Sequence, residues 1–271
     1  MSSPANSGKP AEHRLRVTVE YDGTNFLGFQ RQARGRTVQA VLEAALGLFT
    51  PEPWVLAAGR TDAGVHAMGQ VIHLNYAGHV PIARLAAAVN GRLPDDVAIR
   101  ECRAVHRSFH ARYSALTRTY HYSIIRAPER RPLPERYAWR LGGPLDVPAM
   151  TQAAALFHGT HSFRHFGAIP GSAAQRELSL RRHGWRRTII SAGLVEVVGG
   201  EDSLRFEIEA NAFLTHMVRA VVGALIAVGC GRLALTALQA ALEDDTSSVP
   251  LAPIAPPHGL CLFRVRYPDE E

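Results

Sequence analysis

The sequence predicts an α+β protein made of two similar α/β halves packed closely together. Three observations carry this. From residue 14 to about residue 105, hydrophobic periodicity runs strand, helix, strand, loop, strand, helix, strand. The remaining chain continues with elements of the same kind but shows no sequence repeat. No change in composition marks a linker between them. With 271 residues and 46% hydrophobic content, the chain can bury one large core or two modest ones. Two packed halves leave a cleft, a usual place for a site.

The first element, residues 14–23 (RLRVTVEYDG), alternates: Leu15, Val17, Val19 and Tyr21 share one face, and Arg14, Arg16, Thr18 and Glu20 share the other. This predicts a half-buried strand ending at an Asp-Gly turn. Thr37 is placed to cap a helix running to about Leu48, with Val38, Val41, Leu42, Ala45 and Leu46 on its apolar side. Residues 55–59 form a short strand that enters the loop AGRTDAGVHA, residues 58–67. Residues 69–76 form the next strand. Pro81 suits the first position of a helix that Gly91 ends. Residues 97–105 are again a strand.

In the second half, residues 118–125 (RTYHYSII) set Tyr120, Tyr122 and Ile124 on one strand face. A proline- and arginine-rich loop follows over 126–140, then a helix over 148–157. Strands at 186–198 and 203–210 are joined by a GGED turn. A long helix covers 213–229, another covers 232–245, and a last strand covers 259–267. The expected organisation is a disordered tail over 1–13, an N-terminal half over 14–107, a C-terminal half over 108–268 and a short tail over 269–271.

Composition narrows the function. A net charge of +6 and a pI near 9.6 suit an anionic partner, and equally a weakly basic enzyme. Lys9 is the only lysine among 30 basic residues. Arginine suits phosphate forks and stacking on bases, although a GC-rich coding sequence produces the same bias. Cys102, Cys230 and Cys261 form no C-x-x-C pair, which argues against a disulfide framework or thiolate zinc and fits a reducing cytoplasm. The N-terminal segment has no signal-peptide core. The apolar run 220–230 is too short to span a bilayer.

No dinucleotide-binding, P-loop or G-x-S-x-G pattern is present. His106 and His110 are four residues apart, as are His161 and His165, but neither pair has the H-E-x-x-H glutamate and neither lies on a helical pattern. Arginines gather at Arg31, Arg34 and Arg36; at Arg126, Arg130, Arg131, Arg136 and Arg140; and at Arg176, Arg181, Arg182, Arg186 and Arg187 beside Trp185. These clusters suit a phosphate-tracking surface, although Glu129, Glu135 and Glu177 dilute them.

Asp62 is the chief chemical candidate. An aspartate after Gly-Arg-Thr can simply accept amide bonds in a turn. Yet Gly59 and Gly64 let a ligand come close, Arg60 can hold an anion, and a carboxylate there can be a nucleophile or a general base. Arg219 falls off the apolar stripe of the long helix. It is either exposed or partly buried with a carboxylate partner that the sequence does not name.

The segments YDGTNFLGFQ (21–30), AGRTDAGVHA (58–67), VNGRLPDDV (89–97), FHARYSALTRTYHY (109–122), NAFLTHMVR (211–219) and APPHGLCLFRVRY (255–267) together resemble the tRNA pseudouridine synthase A family. The resemblance runs in order from about residue 14 to 268. It implies a continuous, mostly antiparallel sheet shared by the two halves, with a central basic cleft. By position, it implies Asp62 as the catalytic aspartate, Arg219 as its ion-pair partner, Tyr120 as the ring that packs on the target base, and Arg60 as an aid to base flipping. It further implies isomerisation of uridine at positions 38 to 40 of the tRNA anticodon stem-loop, no metal or cofactor, and a homodimer. Ser162 departs from the aspartate usual in the family after the mid-chain helix. A tRNA-binding protein lacking the chemistry is the main alternative, and a metal-dependent nuclease is a third.

Overall fold

Leu15, Val17, Val19 and Tyr21 are all buried, as their alternation requires. The opposite face of the same strand is less open than its polar residues suggest. Arg16 is also buried, its guanidinium 4.4 Å from the centre of the Tyr267 ring, where the ring face attracts the charge. The protein is known from a computed structural model, which describes residues 12–169, 184–197, 203–244, 246 and 248–268.

The chain order is β1 (His13–Tyr21), α1 (Val38–Leu46), β2 (Leu56–Ala57), β3 (His66–Tyr76), α2 (Ile82–Asn90), β4 (Val97–Val105), β5 (Thr117–Arg126) and β6 (Trp139–Leu141). It continues with α3 (Val147–Ala155), β7 (Gly159–Ser162), β8 (Arg186–Glu196), β9 (Ser203–Ala210), α4 (Met217–Gly229), α5 (Leu235–Glu243) and β10 (Leu260–Arg266). Among the described residues the strands form one ten-stranded sheet in the order β4-β1-β3-β10-β5-β9-β8-β7, with β2 beside β3 and β6 beside β5. Pairing is antiparallel except at β10–β3 and β5–β6. The fold is therefore α+β on a mixed, mostly antiparallel sheet.

Local chemistry explains most boundaries. The Thr37 hydroxyl accepts from the Ala40 amide at the start of α1, as capping predicts. Pro81 caps α2 from just outside the helix, one position earlier than expected, and Gly91 closes it. Asp146 caps α3 by accepting from Ala149 N.

Three expectations need correction. The long helix begins at Met217, not Phe213. Ala168 and Thr215 exchange two backbone bonds of 3.1 Å, and His216 adopts a left-handed φ of 64°, so residues 213–216 are non-helical. The 126–140 stretch is not all loop, because β6 pairs with β5 through Ile124 and Trp139. Residues 159–162, which carry no helical pattern, form β7 against β8, so Ser162 is a buried strand residue opposite Arg186. β3 starts at His66, inside the stretch read as loop. Arg176, Arg181, Arg182 and the tail expected over the first residues lie outside the described residues, except that Glu12 is described and His13 opens β1.

The core spreads along the sheet. Tyr76, Tyr122, Phe206, Leu42, Leu46 and Ile72 are among its fully buried side chains, and Phe157, Phe163 and Phe166 pack ring on ring. Helix α4 is buried on nearly all sides from Val221 to Gly229. Gly223 lets the 253–255 segment lie against it, since a Cβ there would stand 2.1 Å from the Pro253 carbonyl oxygen.

Candidate active site

Residues 58–65 link β2 to β3, and other segments clamp them on several sides. Ala58 donates to Val71 O at 2.8 Å, and Gln70 Nε2 donates to Gly59 O at 2.8 Å. Phe29 N donates to Thr61 O at 3.0 Å, and Gly64 N donates to Phe26 O at 3.3 Å. The Thr61 hydroxyl and the Tyr21 hydroxyl share a 2.7 Å bond. Burial pushes the Tyr21 phenol well above its ordinary pKa, so it remains a hydroxyl at neutral pH. Asp62 O accepts from Val65 N at 3.2 Å, which closes the turn. Gly28, at φ +90°, lets the loop lie against residues 26–29, because a Cβ there would stand 2.8 Å from Thr61 O. The YDGTNFLGFQ segment is thus the bed of the Asp62 loop.

The Asp62 side chain is 32% exposed, so its carboxylate is fixed yet reachable. Arg219 of α4 donates from Nη1 to Asp62 Oδ2 at 3.1 Å and from Nε to Ala255 O at 2.7 Å. Ala255 N donates back to Arg219 O at 3.1 Å. The guanidinium, only 17% exposed, is therefore aimed from both ends, and Asp62 is the carboxylate partner that its sequence position left unnamed. Charge-assisted bonds of this kind are strong and directional. His216 Nε2 lies 3.5 Å from the same Asp62 oxygen.

Tyr120 is 8% exposed. Its ring meets Phe213 edge-on, centroids 5.1 Å apart and planes at 85°. A Cβ on Gly59 would stand 3.8 Å from its hydroxyl, so the ring borders the loop. Burial, tempered by Arg118 and reinforced by the charge of Asp62, pushes its phenol up to about 12. Arg60, in the same loop, is exposed. Partial desolvation, and then the charge of Arg112, lower its affinity for a proton. It has no carboxylate partner among the described residues. All four candidate residues thus belong to one loop and the elements that border it.

Arg118 is a site residue that sequence patterning did not single out. It is 8% exposed, and among the described residues its guanidinium donates only to backbone carbonyls: Ala58 (3.1 Å), Arg112 (2.6 Å), Asn211 (2.9 Å) and, at the limit, Ala115 (3.4 Å). It ties the Asp62 loop, the 109–115 turn and the approach to α4 to one side chain. The clue was parity, since Arg118 falls on the strand face of Tyr120, Tyr122 and Ile124.

The remaining chemical candidates are otherwise engaged. His106 bonds Ser108, His161 bonds the His158 carbonyl, and His165 bonds Asp244 and the Val249 carbonyl. Among the described residues no group of three or more His, Cys, Asp or Glu side chains is disposed to hold a metal. Much of the arginine charge is paired internally: Arg36 with Asp96, Arg31 with Glu43, Arg130 and Arg140 with Glu135, and Arg136 with Asp22. No helix among the described residues is long and apolar enough to cross a membrane.

A family model described as tRNA pseudouridine synthase matches residues 17–114 and 153–268. Proteins named tRNA pseudouridine synthase A are similar along almost their whole length. One from Syntrophotalea carbinolica is 38% identical over 95% of this chain and 97% of its own. One from Moorella thermoacetica is 41% identical over 93% and 99%, and one from Thermus thermophilus is 39% identical over 95% and 98%. The residues matched by the family model include the Asp62 loop and Arg219, and on this agreement of sequence the chain belongs to the tRNA pseudouridine synthase family of isomerases.

Proposed function

We propose that the protein isomerises uridine to pseudouridine at positions 38, 39 and 40 of the tRNA anticodon stem-loop, with Asp62 as the nucleophile. The observation that carries this is the Asp62 carboxylate, solvent-reachable, tethered by Arg219 and bordered by Tyr120. The reaction breaks the bond from C1′ to N1, turns the uracil and joins C5 to C1′. The proton on C5 then leaves and N1 gains one, so the net change is an isomerisation.

A uridine inside a stem must leave the stack before its sugar can be reached. Arg60 assists that step by occupying the space or holding the backbone of the displaced nucleotide. Tyr120 then gives the detached uracil a ring face to rest on. Its small exposed area suits one contact from the base and leaves little room for water. Asp62 attacks at C1′ or at C6, or removes the proton from C2′, and Arg219 serves each route by keeping the carboxylate aimed and charge-balanced. The chemistry of these residues calls for no metal or cofactor. The protein works in the cytoplasm as a homodimer.

The test is release of tritium to water from tRNA carrying tritiated uridine at C5, without added metal or nucleotide. Wild-type protein releases it, whereas Asp62→Asn loses release by at least a thousandfold (order of magnitude) and still binds tRNA. Unchanged release from Asp62→Asn would overturn the role of Asp62. A tRNA-binding protein without chemistry would show binding and no release from the wild type. Mapping pseudouridine in the product then checks the positions, and product outside 38 to 40 would overturn the assignment to the anticodon stem-loop.

A further inference from the structure

Next to the Asp62 loop, residues 109–114 build a step of rings that leads from the sheet to solvent. At its base is His73 of β3, buried, with Nδ1 accepting from Ala111 N at 3.1 Å. The His110 ring lies 4.5 Å from it, and the Tyr113 ring lies 4.3 Å from His110 at a tilt of 36°. Phe109 supports the base of the stack with an edge contact to His73 and a 5.0 Å contact to Tyr267. Burial and neighbouring positive charge keep both imidazoles below their ordinary pKa, so they are neutral at pH 7 and pack as aromatic rings.

The outermost ring is the unusual one. Tyr113 is 76% exposed, although its underside is held. Arg112 lies 5.8 Å from the ring centre and has no carboxylate partner among the described residues. The step is joined to the active loop, because Arg112 O and Ala58 O both accept from Arg118 Nη2. Arg60 follows two residues after Ala58 and feels the charge of Arg112. Two exposed guanidinium groups without counter-ions, beside an open ring held from below, have the chemistry of a nucleotide: phosphate for the arginines, base for the ring.

We propose that Tyr113 is a stacking platform for an unpaired nucleobase of the bound RNA close to the target uridine, with Arg112 holding the phosphate of that nucleotide. This rests on the reading of the substrate as tRNA. The platform holds the strand on the near side of the flipped nucleotide and so keeps it from sliding back into the stem.

The test uses the full chain and an unmodified tRNA transcript, with binding measured separately from tritium release. Tyr113→Ala raises Kd and KM by roughly tenfold, the scale of one base–aromatic stack, and Tyr113→Trp recovers most of the loss. Arg112→Ala lowers the slope of log Kd against log salt by about one. The thermal midpoint of Tyr113→Ala stays near that of the wild type, as an exposed ring predicts. Kd within twofold of wild type for Tyr113→Ala would overturn the platform. So would a change in sedimentation with tRNA affinity intact, which would make Tyr113 a contact between protein copies. A wild type that binds tRNA without isomerising it would defeat the proposed function and still leave the binding comparison decisive for Tyr113.

Discussion

Arg118 does for the backbone what Arg219 does for the carboxylate. A buried guanidinium bonded only to carbonyl oxygens is an unusual tie, since it holds three separate segments without a counter-charge. Arg118→Met leaves those carbonyls without their donor and costs about 3 kcal/mol of stability, given roughly 1–3 kcal/mol for each buried group left unpaired. Arg118→Lys keeps the charge but cannot span the fork. Its expected outcome is a smaller fall in thermal midpoint with a kcat about 10–100-fold lower, the scale of a misplaced catalytic group. Steady-state kinetics beside thermal unfolding of both variants checks this. A kcat that fell only in step with the folded fraction would make Arg118 merely structural. At this scale the sequence singled out Asp62 and Arg60 through their glycine-rich loop, and Tyr120 only through the family resemblance. Patterning alone left the partner of Arg219 open, because helical periodicity says which face a residue takes and not what covers that face; only the family resemblance pointed to Asp62. Asp62 lies 157 residues away.

Strand β3 shows how an element can carry a titrating group on its covered face. His73 lies in its middle, beneath the Tyr113 step, with its pKa lowered from 6.5 to about 4 by burial, then by His110 and Arg14. Between those two values the unfolded chain holds a proton that the folded chain refuses. Stability therefore falls as the pH drops from 6.5 toward 4 and levels off below that. The contribution is on the order of 2–3 kcal/mol across the window. In His73→Asn, which can still accept from Ala111 N, the thermal midpoint depends less steeply on pH over this range, and the difference between the two curves isolates His73 from the carboxylates common to both proteins. Parallel curves would show that His73 titrates normally. At the element scale, alternation and capping placed β1, α1, α2, β4, β5 and β9 within a few residues. The failures were local. Residues 126–140 read as loop because prolines and arginines hide the three residues of β6, and Phe213 read as helical because its periodicity is sound while the Ala168–Thr215 pairing claims the backbone.

The sheet order belongs to the whole molecule and was not legible in any window of sequence. Alternation identified β10 as a strand, but nothing in it indicated that β10 would sit between β3 and β5, parallel to the first and antiparallel to the second. Its pairings join the strand that leaves the Asp62 loop to the strand that carries Tyr120 and Arg118. Deleting residues 260–268 should therefore abolish cooperative unfolding rather than trim an edge, and calorimetry of the shortened chain, or its recovery only as aggregate, checks this. A sharp transition with reduced enthalpy would show that the sheet closes without β10. The same insertion sets an order of events during synthesis. β3 and β5 emerge well over a hundred residues before β10, and each has an unpaired edge until it arrives. Contacts this distant make for slow folding, and open edges invite wrong partners. A nascent chain can build its first hairpins early, but the Tyr120 ring and the Asp62 carboxylate acquire their final spacing only when the strand latest in the sequence slides between them.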